Sequence, residues 1–142
     1  EFGAGLADQN LARATSSRLL ALERRLGILE SLNDSLRDFA LGAAEQTHDG
    51  PIGALIDNLI EAADTVLFTA IDCWKTREVD DLATLSAMTE DRGTMMEGIR
   101  RTYAEGDAGV EHKDKAGLFH LTSLFERIIW LLRQIGLSLR ER

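Results

Sequence analysis

Carboxylates are the residues of this sequence best placed to do chemistry. Asp57, Glu61 and Asp64 recur at intervals of four and three, which sets them about one turn apart along one helix face, with Asp72 further on. Such a row can bind a hard cation, and Asp91 and Glu126 fall in otherwise apolar windows where an ionised side chain needs a partner. Asp57, Glu61, Asp64, Asp91 and Glu126 are therefore the candidate ligands of a divalent-cation sensor. The competing reading is a solvated acidic face with ordinary ion pairs: Arg92 and Arg127 as partners for the two isolated acids, and Glu97 with Arg101 at i, i+4.

Other chemistries find no footing. Nucleophilic catalysis needs an activated Ser, Cys or Thr beside a base, and no such motif is recognisable, so no catalytic residue is assigned. Gly106 and Gly109 follow no strand and lack the lysine of a phosphate loop, and His48, His112 and His120 lack the i, i+3 or i, i+4 spacing of a zinc pair. Cys73 is the single cysteine, has no redox motif around it, and reads as a small buried hydrophobe. No cofactor is expected. A formal charge of −8, with the basic residues scattered among acids, argues against nucleic acid as a partner.

The elements that carry these residues are helices. One proline in 142 residues, 6% aromatics and few β-branched runs leave no case for a sheet, and 44% apolar residues suffice for one core. The fold expected is all-α, an antiparallel bundle of about four long helices. The most apolar stretch, Leu118 to Leu132, is broken by His120, Glu126 and Arg127 and is too short to span a bilayer.

The first helix runs from Asp8 to about Glu45, with Leu19, Leu22, Leu26, Leu29, Leu36, Ala40 and Ala43 in 3-4 alternation and Asn33 on the same seam. An Asn at such a position is able to fix a pairing register. Ile28, Leu32 and Phe39 widen the stripe. Pro51, with Asp49 or Gly50 as cap, opens a second helix to about Thr76, whose seam is Ile52, Ile56, Leu59, Ala63, Val66, Ala70 and Cys73. After a tight link, Asp80 caps a third helix through Tyr103. The polar stretch 105–111 is the expected mobile loop, and a fourth, central helix covers His112 to Leu139, its terminal arginines Arg133, Arg140 and Arg142 complementing the helix dipole.

In order and spacing, four pieces of the last three helices resemble one three-helix repeat of the PhoU family: Ala62-Ala63-Asp64-Thr65-Val66-Leu67 leading to Ala70-Ile71, the Asp80-Asp81-Leu82-Ala83 restart, Asp91, and Leu124-Phe125-Glu126-Arg127-Ile128. The likeness covers residues 52 to 139. It implies a role in regulating bacterial phosphate uptake, alone or fused behind the membrane part of a sodium/phosphate symporter-type transporter. In some members acids of the last helix contribute to a multinuclear metal cluster. Here Trp130 stands where the pattern places an aspartate one turn after Glu126, which puts such a cluster at Asp91 and Glu126 in doubt.

The resulting expectation has residues 1–5, which lack an initiating Met, as a junction foreign to the domain, and 6–142 as one helical domain. Within it, 6–46 is a connector helix and 50–140 the PhoU-like unit. The function expected is a regulatory or interaction domain at the cytoplasmic face of a bacterial membrane, whose partner is the membrane portion of the same protein. The alternative is a homodimerising adaptor that uses exposed apolar edges, either Ile28, Leu32 and Phe39 or Phe119 and Trp130.

Overall fold

A computed structural model describes the backbone of residues 2–46, 49–105 and 112–140, and the side chains of 11–46, 49–91, 93–102 and 115–140. Among the described residues there is no strand, and five helical segments form the bundle: α1 Phe2–Ala44, α2 Gly50–Thr76, α3 Val79–Met88, α4 Arg92–Glu105 and α5 His112–Arg140. The expected bundle of about four helices is present, with the third divided into α3 and α4. Asp91 makes the break. Its φ of 50° is the left-handed conformation that stops a helix, and its Oδ1 accepts a 2.6 Å hydrogen bond from Thr94 Oγ1 in the first turn of α4. The expected mobile loop at 105–111 falls, beyond Glu105, outside the described residues.

The connections follow local chemistry. Asp49 in extended conformation precedes α2, with Pro51 in the first turn where its missing N–H costs nothing. Arg77, at φ 54°, closes α2 by donating its N–H to the Cys73 carbonyl, and Thr76 Oγ1 donates at 2.6 Å to Asp81 Oδ2 while accepting from the Glu78 N–H. Glu78, not Asp80, therefore precedes α3, and Asp80 and Asp81 sit in its first turn, where negative charge suits the helix dipole.

α5 is the hub, packing against all four other segments. Phe125, Ile128, Leu121 and Leu132 are fully enclosed, together with Ile56 and Cys73 from α2, Leu85 from α3 and Met96 from α4. The arginines expected to serve only the helix dipole do more. Arg133 Nη1 donates to the Ser86 carbonyl in the last turn of α3, and Arg140 Nη2 to that of Leu82, while Arg25 of α1 donates at 2.6 Å to Ser138 in the last turn of α5. Ser86 and Ser138 lie where a helix leaves carbonyls unsatisfied.

The inward face of α1 differs from the expected seam. Leu32, Ser35, Phe39 and Ala43 are buried, with Ile28 and Leu36 packed partly against the core, whereas Leu19, Leu22, Leu26 and Ala40 face out. The helix is turned about a quarter-turn from the orientation the leucine spacing suggested. Phe39 sets the choice: its ring lies 6.4 Å from that of Phe125, tilted by 48°, and burying that aromatic pair outweighs enclosing a row of leucines for which α5 offers no facing surface.

Candidate functional site: an unpartnered face on the first helix

α1 and α5 run antiparallel. Arg25 reaches Ser138, and Gly42 lies against Leu121, so about residue 23 stands level with the end of α5 at Arg140. From that level α1 continues for roughly 30 Å beyond the described residues of α5, at 1.5 Å per residue. On this segment and just below it Leu19, Leu22, Leu26 and Leu29 form a continuous row, exposed to 57%, 59%, 57% and 40%. Their 3-4-3 spacing, continued by Asn33, which is also exposed, is a heptad seam with Leu19, Leu26 and Asn33 at one core position and Leu22 and Leu29 at the other.

The row runs into a cleft. α1 and α2 both rest on α5, and between them opens an apolar space of about 250 Å³ bounded by Leu29, Leu32, Leu67, Ile71, Trp74 and Leu132, with Lys75 at its rim. Trp74 and Ile71 are each more than a third exposed here, so the apolar surface spans two helices. A run of exposed leucines joined to a tryptophan-lined cleft is the kind of patch that marks an interaction site.

The carboxylates do not form a site. Glu126 is gripped by Arg100 of α4, with Arg100 Nη2 at 2.7 Å from Oε2 and Nη1 at 3.3 Å from Oε1, and the same guanidinium donates at 2.8 Å to Thr122 Oγ1. The partner expected on sequence grounds, Arg127, faces solvent instead. Glu97 likewise pairs with Arg100, at 3.7 Å, and not with Arg101. Asp91 caps α4. Asp57, Glu61 and Asp64 lie along a shallow open depression on α2 beside Ile60 and Phe68. Among the described residues no group of three or more potential ligands converges to hold a metal ion, because these acids stand on different elements or point to solvent. The signal for Arg100 was available in the sequence: a carboxylate in an apolar window demands a cation, and a facing helix can supply it as readily as the next residue.

Of the expected interaction residues, Leu32 and Phe39 are core, at 5% exposure each, and Ile28 is partly buried against them, so these three are no free edge. Phe119 and Trp130 do lie on the outer face of α5, with Trp130 58% exposed. Cys73 is enclosed, and burial, followed by the nearby negative charge of Asp81, pushes its thiol above the ordinary pKa of 9.0. The thiol is therefore held neutral and unreactive.

The architecture is that of an all-α bundle built around one hub helix, with one long helix partly outside it. No family model, curated protein or solved structure matches the chain. Among the described residues no helix is long and apolar enough to cross a membrane.

Proposed function

We propose that this chain is a regulatory interaction module and not an enzyme, with α1 as the element that couples the bundle to what it controls. The observation that carries the reading is the exposed leucine row of α1 running into the tryptophan-lined cleft between α1 and α2. A helix kept only for the stability of the bundle has no use for a row of exposed leucines, since exposed leucine gains nothing from water. Of the acids that were candidates for chemistry, Glu126 is engaged by Arg100 and Asp91 by Thr94, while Asp57, Glu61 and Asp64 converge on no common centre, which favours the apolar face as the working surface.

The narrower form of the proposal takes the PhoU-like spacing of the last helices as its guide. The bundle is then the cytoplasmic domain of a membrane transporter of the sodium/phosphate symporter type, and α1 is the connector from the membrane portion. The coding sequence upstream of residue 1 tests this directly: it should encode several hydrophobic spans shortly before α1, and a reading frame that starts here would sink the idea. In the full-length protein, deleting residues 50–140 should alter phosphate uptake while leaving membrane insertion intact.

A further inference from the structure

The leucine row leaves open what covers it, and its flanking charges answer that. In the heptad defined by Leu19, Leu22, Leu26, Leu29 and Asn33, one edge carries Glu23 and Glu30, and the other carries Arg18, with Lys75 on the cleft rim on the same side. Arg18, Glu23 and Glu30 are exposed. Arg25, which also falls on the basic edge, is committed to Ser138.

Such a surface is complementary to itself in one orientation only. When two copies lie parallel and in register, each acidic edge faces the other's basic edge, and Arg18 meets the partner's Glu23. Antiparallel pairing would bring acid against acid and base against base, which like-charge repulsion disfavours. Asn33 adds a second constraint. A buried Asn at this heptad position is tolerated when it meets its own copy across the seam, and it penalises slipped registers.

We infer that a second copy of this chain occupies the face, forming a parallel two-stranded coiled coil over residues 19–33, with the partner's α1 also covering Ile71 and Trp74 at the cleft. The inference rests on the reading of α1 as the coupling element and names its partner. Parallel pairing is also the arrangement in which both first helices enter from the same side, as two connectors descending from one membrane would. Two heptads and a cleft rim make a small interface, but α1 is already helical and held by α5, so little ordering cost opposes association. A reversible dimer in the micromolar range is the expected strength.

Sedimentation equilibrium of the full chain should show a monomer–dimer equilibrium at micromolar concentration. The double variant Leu22→Glu/Leu26→Glu should be monomeric, with a dissociation constant raised at least about a hundredfold. Its helicity should be unchanged, since both side chains face solvent in the single chain. Orientation is read by cysteine pairing in a Cys73→Ala background. Leu22→Cys should form a disulfide-linked dimer on mild oxidation, whereas a mixture of Leu19→Cys and Leu29→Cys chains should not cross-link with each other, as they would in an antiparallel pair. Arg18→Glu should weaken the dimer about fivefold, and adding Glu23→Arg should restore it. A strict monomer, or preferential 19-to-29 cross-linking, overturns the inference. Either result leaves the transporter reading to its own test, which depends on the upstream sequence and not on assembly.

Discussion

The two halves of α1 are both amphipathic helix and meet opposite fates. Residues 31–44 place Leu32, Phe39 and Ala43 in the core, while residues 11–30, with more leucines, leave Leu19, Leu22 and Leu26 in solvent. What separates them is which face of α1 meets α5, not helical character. The lower half turns Leu32, Phe39 and Ala43 onto a hub helix that offers Phe125 and Leu121, and the leucine row of the upper half stands about a quarter-turn away from that contact. Hydrophobic periodicity says that a stripe must be covered; the facing surface of the neighbouring helix decides which stripe this chain covers.

Substitutions that treat the halves alike should therefore give unlike results, and the core gives the largest effect. Phe125→Ala removes a fully enclosed ring in contact with Phe39, and denaturant unfolding should show a loss of about 3–5 kcal/mol. Leu22→Ala deletes a smaller apolar group, the branched end of the leucine, from the upper half of α1. Measured at concentrations below dimer formation, it should cost under about 0.5 kcal/mol, as an exposed substitution does. A loss at Leu22 near that at Phe125 would mean that the single chain already covers the leucine row.

Next in size is the clamp between α4 and α5. Arg100→Ala leaves Glu126 partly buried without its guanidinium and Thr122 without a donor, and a destabilisation of about 1–3 kcal/mol should follow in urea unfolding. The paired variant Arg100→Met/Glu126→Leu should recover much of it, because a half-buried ion pair gains little over a well-fitted apolar pair. No recovery would mean that Arg100 holds α4 through more than this carboxylate.

The sequence carried the helices well and their orientation poorly. Pro51, the apolar spacing of α2 and the terminal position of α5 were legible because each rests on local chemistry: a ring that fits a first turn, a 3.6-residue period, and the absence of proline from 112 to 140. The break at Asp91 was not, since aspartate tolerates the left-handed region without requiring it. Nor was the rotation of α1. Its leucine seam and its Phe39 stripe are both valid helical periods, and only the identity of α5's facing surface decides between them. The candidate carboxylates failed as a site for the same reason: spacing along one helix is visible in sequence, and convergence between helices is not.

Buried Cys73 gives a smaller effect that depends on pH. Its thiol is raised in the folded protein, so the folded state keeps its proton where the unfolded chain loses one. The stabilising contribution is complete below the unfolded thiol's pKa and declines as pH rises from that value towards the raised folded one. Stability should therefore fall above about pH 9, by at most about 1.4 kcal/mol per pH unit from this group, and Cys73→Ala should flatten the slope. Equal slopes with and without the thiol would place the alkaline sensitivity elsewhere.

The smallest expected effect asks whether the two halves of α1 unfold together. Gly27 lies in the upper half, where an added Cβ would meet nothing within 4 Å; in α5, a Cβ on Gly136 would come within 2.9 Å of Leu85 Cδ2. Both positions are helical, so alanine offers the same gain in helix propensity, up to about 1 kcal/mol. At Gly136 the gain is opposed by the need to displace Leu85, and Gly136→Ala should be neutral or destabilising. Gly27→Ala meets no such opposition. If residues 11–30 fold as one unit with the core, its global unfolding free energy should rise by about 0.5–1 kcal/mol. If the upper half opens on its own, the gain appears only in the local hydrogen-exchange protection of that segment, and global stability stays where it was. Only a helix held rigid to its upper end presents a preformed heptad face, so the size of this small gain measures how ready α1 is to receive its partner.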